Sequence, residues 1–319
     1  METLNYTPAS PAKAASPTSL EVPAECGGLR LDQALAQLLP QHSRSRLKAW
    51  IDAGDIKVDG TVRAPRHRLN GGEMLTIVTH DAPADDTHAA QAIALAIVYE
   101  DASLLVVDKP PGLVVHPGAG NRDGTLLNAL LHHAPELSKV PRAGIVHRLD
   151  KDTSGLLVVA RTIEVQTALV RALAQRSVKR EYLAIAYGDI AQAMTVEAPI
   201  GRHPSARTTM AIVATGRDAR THVTPLEHYT IATLAQCTLD TGRTHQIRVH
   251  LAAIRHPLIG DPVYGPRRQI PGLPPMPRQA LHAWRLALTH PVTAKAMRWR
   301  AEPPADFIAL RDALRERDG

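Results

Sequence analysis

The sequence predicts two domains of mixed helix and strand, a small one followed by a large one, and three observations predict it. The chain has 319 residues, more than one hydrophobic core usually organises. Helix-period and strand-period apolar patterns alternate along it. A polar, Ala-rich stretch at residues 80–92, with His80, Asp81, Pro83, Asp85 and Asp86, breaks both patterns and has the composition of a flexible linker. The boundaries that follow are a tail over residues 1–20, a first domain over 21–79, the linker over 80–92 and a second domain over 93–319.

Apolar residues make up 44% of the chain, enough for ordinary globular cores. No run of about eighteen apolar residues occurs, so no membrane span is expected, and the N-terminus lacks the apolar core of a signal peptide. Cys26 and Cys237 lie far apart and suggest neither a disulfide framework nor a zinc site; a reducing cytoplasm fits best. The formal net charge is +6 and the pI near 9.5, compatible with a polyanionic partner. Of 37 basic residues, 29 are Arg and eight Lys, and Arg suits bidentate phosphate contacts and stacking on bases. A genome-wide bias toward Arg and Ala would give the same count, so charge permits RNA as a partner without requiring it.

The tail is rich in Ala, Pro, Ser and Thr; burying so little apolar surface cannot offset its ordering entropy, and disorder is expected. Leu31, Leu35, Leu38 and Leu39 recur at helical spacing before Pro40. Ser43 can cap a second helix with Leu47, Trp50 and Ile51 as its apolar stripe and Gly54 as its stop. Arg44 and Lys48, four apart, share its polar face. Ile56–Arg63 carries the Asp59-Gly60 signal of a tight hairpin, and Met74–Val78 closes the domain as a strand. Between Leu29 and Val78 there are eight Lys or Arg and five Asp or Glu, a net of +3.

In the second domain, Ala96–Tyr99 and Leu104–Val107 read as strands. Gly118–Gly124 reads as a turn opening an apolar helix around Leu126–Leu131; it fits neither the dinucleotide fingerprint nor the P-loop spacing. Leu156–Ala160 is a buried strand, and the polar stretch His147–Gly155 before it is a loop anchored to the core, where catalytic groups tend to be. Thr162–Gln175, with Val165, Leu169 and Leu173 at steps of four, is an amphipathic helix. Val178–Tyr187 alternates like a strand, the basic segment 200–210 reads as a loop, and Leu234–Leu239 is another strand. Ile247, Leu251 and Ile254 mark the buried face of a helix on which Thr244 and Arg248 share another side. Pro266–Pro277 cannot be regular structure. Leu281–Leu286 resumes a strand, and a surface helix spans residues 306–317. His245 and His250, five apart and without a carboxylate cluster, make a metal site improbable.

Taken alone, Asp150 and Asp152 could simply shape their turn. His147-Arg148-Leu149-Asp150-Lys151-Asp152-Thr153-Ser154-Gly155-Leu156-Leu157, however, resembles the signature of the RluA-type pseudouridine synthases. Three further stretches resemble that family: Lys109-Pro110 with Val115-His116-Pro117, then Arg180-Glu181-Tyr182, and finally Gly242-Arg243-Thr244-His245-Gln246-Ile247-Arg248-Val249-His250. The block from His256 to Gly265 is also family-like. The order of two short helices, hairpin and closing strand before them resembles an S4 RNA-binding module. Together the likeness covers about 250 residues and favours the S4-bearing subgroup that modifies large-subunit ribosomal RNA.

The resemblance implies an α+β catalytic domain with a mixed, largely antiparallel sheet and peripheral helices, preceded by a small S4-like α/β domain. It implies isomerisation of uridines to pseudouridine in 23S ribosomal RNA, in a stem-loop at the subunit interface or on the pre-ribosomal large subunit, by a monomer without cofactor or metal. Asp150 falls on the catalytic aspartate, acting as nucleophile or as base. Arg248 falls on its guanidinium partner, Tyr182 on the residue that stacks on uracil or assists C5 deprotonation, and Arg148 on the arginine that fills the space of the flipped base. Leu281 falls beside the target base. His147, Arg44 and Lys48 are further expected RNA contacts. Two rivals remain. A binding-only ribosome-assembly factor would not need Asp150, Tyr182 and Arg248 together. A glycoside hydrolase would need two carboxylates about 5–10 Å apart, and Asp152 is the only nearby candidate.

Overall fold

The structure is a computed structural model that describes residues 17–39, 44–78, 88–118, 120–206, 209–266 and 270–318, with side chains of the second helix described from Leu47 onward. It forms two compact units, Met1–Thr87 and His88–Gly319.

The first unit consists of β1 (Thr18–Glu21), α1 (Leu31–Leu38), α2 (Arg44–Ala53), β2 (Ile56–Val58), β3 (Thr61–Val62) and β4 (Met74–Ile77). Its sheet runs β1-β4-β2-β3. The helical stripes close on it, burying Leu31, Leu35, Leu47 and Ile51 against Ile56, Leu75 and Ile77. Asp59 and Gly60 turn β2 into β3 with φ of 47° and 75°, the twin positive values a two-residue hairpin turn needs. Composition puts residues 18–20 in the tail, yet they belong to β1, paired with β4 from Thr18↔Ile77 to Glu21↔Met74. An edge strand gains its order from a neighbour's backbone, which composition does not record. Residues 1–16 of the expected tail, residue 79 of the expected first domain and residues 80–87 of the expected linker lie outside the described residues. The linker's last residues are tied to the second unit: Asn128 donates to the Ala89 carbonyl at 2.8 Å, and the Gln91 N–H donates to the Asn128 carbonyl at 3.0 Å.

The second unit contains β5 (Ala96–Glu100), β6 (Leu104–Lys109), α3 (Leu126–His133), β7 (Ser154–Ala160), α4 (Ile163–Ala174), β8 (Lys179–Tyr187) and β9 (Met194–Glu197). There follow β10 (Ile200–Arg202), β11 (Met210–Ile212), β12 (Arg220–Tyr229), β13 (Ala232–Leu239), α5 (Gln246–Ala253), β14 (Leu281–Thr289), β15 (Ala296–Arg300) and α6 (Ala305–Asp318). Nine strands form one sheet in the order β5-β6-β7-β14-β8-β13-β12-β9, with β15 on β14. All pairs are antiparallel except β7–β14, so the architecture is α+β with a mixed, largely antiparallel sheet.

β7 is buried at every position because both its faces are covered. Leu157 and Val159 pack with Leu126 and Leu130 of α3, while Leu156 and Val158 pack with Val165 and Leu169 of α4. A strand covered on both sides reads as a continuous apolar run. Gly155 starts that run with φ +111°, and a Cβ there would lie 2.2 Å from the Ala283 carbonyl oxygen. Only glycine lets β7 meet β14 so closely.

The structure sharpens three expectations. The basic segment expected as a loop begins and ends in strands, β10 and β11, paired from Ile200↔Ile212 to Arg202↔Met210, with loop at 203–206 and 209 between them; residues 207 and 208 lie outside the described residues. The C-terminal helix buries Phe307, Leu310 and Leu314 beside Trp284, a stripe diluted by the charges between. α5 begins at Gln246, so Thr244 precedes it, and its residues from Gln246 to Leu251 are all buried, Arg248 included. Among the described residues no helix is long and apolar enough to cross a membrane.

Candidate active site

Sheet register gathers the site. Ser154 lies beside His282 in the parallel β7–β14 pair, so the loop before β7 and the first residue of β14, Leu281, emerge at the same end. β8 returns antiparallel with Tyr182 opposite Ala283 on one side and Cys237 on the other. β13 then leads through residues 240–245 into α5. A cavity of about 840 Å³ opens there, lined among others by Arg148, Asp150, Tyr182, Arg248 and Leu281.

Asp150, with 17% of its side chain exposed, accepts a hydrogen bond on Oδ2 from Arg248 Nη1 at 3.0 Å. The rest of that guanidinium is committed to Asp261: Nε donates to Oδ2 at 2.7 Å and Nη2 to Oδ1 at 2.9 Å. Asp261 Oδ1 also accepts the N–H groups of Val263 and Tyr264 at 2.9 and 3.0 Å. Burial alone would raise the Asp261 carboxyl, but the bonds and charge of Arg248 outweigh it and hold it below the usual carboxylate range. Asp261 is thus a fully buried anchor that fixes the fork while one arm reaches Asp150. The Tyr264 ring flanks it, 5.1 Å from the guanidinium carbon.

Tyr182 is buried, and burial raises its phenol above the ordinary value, with the Asp150 charge adding to the rise and Arg180 opposing it. The hydroxyl is therefore protonated at neutral pH. Arg180 is buried in the same cavity wall, its Nε without a hydrogen-bond partner among the described residues. Gly242 makes room for it: a Cβ there would lie 2.7 Å from Arg180 Nη1. Leu281 is buried at the cavity wall, while Arg148 is exposed.

The loop carrying Asp150 is held from below. Lys109 is fully buried and its ammonium donates to the carbonyls of Pro110, Leu113 and Lys151 at 2.7, 3.0 and 2.8 Å. Burial pushes its pKa down to about 8 even though Asp152 and Asp150 pull it up. His147, expected at the RNA, is turned inward. Its Nε2 accepts the Val158 N–H at 3.1 Å and its Nδ1 is inaccessible, so the ring fastens the loop to β7. Burial, with Arg180 nearby, brings its pKa down to about 3.

Lys48, expected on a phosphate-facing surface of the first unit, pairs at 2.6 Å with Asp52, its i+4 neighbour on α2; the side chain of Arg44 lies outside the described residues. His250 is satisfied by Thr221 and the Ala198 carbonyl. Among the described residues no group of three or more His, Cys, Asp or Glu is placed to hold a metal ion.

Sequence reading missed Asp261, His245, Arg180 and Lys109 as site residues, although all four lie in the motifs already quoted. Their roles depend on residues distant in sequence, such as Arg248 for Asp261 and Lys151 for Lys109, 13 and 42 positions away. The side chains of four arginines of the cavity wall, Arg142, Arg148, Arg176 and Arg217, make no hydrogen bond or ion pair among the described residues. A carboxylate steadied by a buried guanidinium, under a rim of unpaired arginines, defines a site for acid–base or nucleophilic chemistry on a polyanion.

Comparison with known proteins agrees. Residues 103–253 match the model of the RNA pseudouridylate synthase family, and residues 29–75 match the S4 domain. The chain is 56% identical over 300 residues to the ribosomal large subunit pseudouridine synthase D of Nitrosomonas europaea, covering 93% of this chain and 87% of that one. With the protein of the same name from Pseudomonas aeruginosa it shares 52% over 305 residues, 93% and 95% of the two chains. Among solved structures, human RNA pseudouridylate synthase domain containing 1 superposes with a TM-score of 0.53 at 28% identity, covering 68% of this chain and 87% of that one. The chain belongs to the RNA pseudouridylate synthase family and is an isomerase with an N-terminal S4 domain.

Proposed function

We propose that the protein converts uridines of large-subunit ribosomal RNA to pseudouridine with Asp150 as its catalytic carboxylate. The observation that carries the reading is Asp150 itself, held by Arg248 at 3.0 Å and facing a cavity rimmed by unpaired arginines. The names of the most similar relatives supply the RNA class. In the reaction the N1–C1′ bond breaks, the base turns, C5 bonds to C1′, and the C5 proton leaves as N1 gains one. Attack on C1′ and removal of the C2′ proton both call for one ionised carboxylate at this place. Mapping pseudouridines in ribosomal RNA of cells with and without the protein tests the assignment; unchanged modification would reject it.

The finer roles belong to the same proposal. Arg248 aims Asp150 and balances its charge, Arg148 enters the space left by the flipped base, and Leu281 packs against that base. The substrate is a stem-loop of 23S RNA at the subunit interface, presented on the pre-ribosomal large subunit to a cytoplasmic monomer. Tyr182 assists removal of the C5 proton; because its hydroxyl is protonated at neutral pH, it gives its own proton to N1 or to solvent as it takes the one from C5. Tyr182→Phe is therefore expected to bind RNA normally and slow single turnover by about 10²-fold, the scale of one lost proton-transfer group. A rate within about twofold of wild type would leave the ring only a stacking role.

The first unit, with its own core and excess of basic residues, is the RNA anchor in this proposal. Deleting residues 1–87 should leave the pocket assembled, since every matched catalytic residue lies in the second unit. Affinity for a ribosomal RNA fragment should fall. Its salt dependence should flatten by roughly 0.7–0.9 in log–log slope for each phosphate that the shortened protein no longer neutralises. Unchanged affinity and slope would remove that unit from RNA binding.

A further inference from the structure

The donor geometry around His245 addresses the sugar of the target nucleotide. His245 caps α5 in a left-handed conformation with φ 56°, a strained backbone for a residue with a Cβ. Its ring stands edge-on to Tyr264, centroids 5.6 Å apart. The Tyr264 hydroxyl accepts the Met210 N–H at 2.9 Å and lies 2.8 Å from His245 Nδ1. A phenol has a single proton, and Nδ1 is the acceptor in reach, so Tyr264 donates to Nδ1. That fixes the tautomer: Nε2 carries the hydrogen. Burial keeps the ring neutral, against the pull of Asp150.

The Nε2–H faces Asp150 Oδ1 across 3.8 Å, too far for a direct hydrogen bond. An oxygen about 2.8 Å from both atoms would fit between them, accepting from Nε2 and donating to the carboxylate. A hydroxyl or a water can do both, and in the loaded site the substrate itself brings a hydroxyl. Asp150 must approach either C1′ of the target ribose or the hydrogen on C2′. The 2′-hydroxyl is attached to C2′ and therefore reaches the carboxylate together with the reacting centre. We propose that His245 Nε2–H and Asp150 Oδ1 together bind the 2′-hydroxyl of the target nucleotide, with Tyr264 and the Met210 amide setting the tautomer that makes this possible. His245 is then a positioning and specificity residue, distinct from the chemistry at Asp150. The inference rests on the pseudouridine synthase reading above.

The test compares a ribosomal RNA fragment containing the target uridine with the same fragment carrying 2′-deoxyuridine at that one position. Affinity and single-turnover rate are measured for the full-length protein and for His245→Ala, His245→Gln and Tyr264→Phe. Wild type should prefer the ribose substrate, and His245→Ala should lose about 3–10-fold of that preference, the worth of one neutral hydrogen bond. His245→Gln, which can present an amide N–H near the position of Nε2, should recover part of it. Tyr264→Phe should fall between, because the imidazole proton is then free to move to Nδ1. A purely structural role would weaken both substrates equally and leave their ratio intact in all three variants, which overturns the proposal. Failure of wild type to act on the ribose fragment would instead reject the pseudouridine synthase reading.

Discussion

Asp150→Asn is expected to abolish isomerisation, lowering the rate by at least about 10³–10⁴-fold, while RNA affinity stays close to wild type. The substitution keeps shape and an acceptor for Arg248 Nη1, so the bond at 3.0 Å survives, but the negative charge is gone. Asp152, two residues on, cannot take over, because its backbone carbonyl is tied to Arg278 at 3.0 Å and its place in the loop is fixed. Tritium release from ribosomal RNA transcripts labelled at C5 of uridine reads the chemistry, and a filter-binding titration reads affinity. Substantial turnover by the variant would remove Asp150 from the reaction; loss of both signals would point to misfolding.

Arg248 carries the second large effect, because one side chain serves two carboxylates. Arg248→Ala strands Asp261, whose side chain is fully buried, and removing one partner of a buried ion pair costs about 3–5 kcal/mol. It also leaves Asp150 without its guanidinium, so both melting temperature and rate should drop. Arg248→Lys separates the two roles. An ammonium retains the charge but cannot repeat the bidentate contact with Asp261 at 2.7 and 2.9 Å while reaching Asp150. Stability should recover substantially and the rate only in part. Thermal unfolding alongside single-turnover kinetics measures both, and a fully active Lys variant would show that the fork geometry is dispensable.

Much of the site was legible locally. The polar nonapeptide His147–Gly155 ahead of an apolar run announced a loop rooted in a strand, and Arg180-Glu181-Tyr182 sat on an alternating segment. Residues whose roles are set by a distant partner were not legible. Nothing near Asp261 in sequence says that it anchors Arg248, and nothing near Lys109 says that its ammonium holds the Lys151 carbonyl. His147 shows the same limit from the other side: it looked available to RNA, yet its ring is engaged by the Val158 amide.

What the sequence determined by itself was the inventory and its local order: helix stripes, the Asp59-Gly60 hairpin, the doubly covered strand β7, and the motif residues that carry the family resemblance. The stripes, the hairpin and the strand follow from periodicity and turn chemistry, which act over a few residues; the motif residues follow from the resemblance alone. The tertiary structure decided what those residues face. It placed β7 and β14 side by side in parallel, with Gly155 at the closest approach, and so brought Asp150, Leu281 and Tyr182 to one end of the sheet. It buried α5 on nearly every side and left four cavity arginines without partners among the described residues. It also set His245 Nδ1 2.8 Å from the Tyr264 hydroxyl. Such pairings join positions tens to more than a hundred residues apart, where the energy lies in burial and hydrogen-bond geometry that no local pattern encodes.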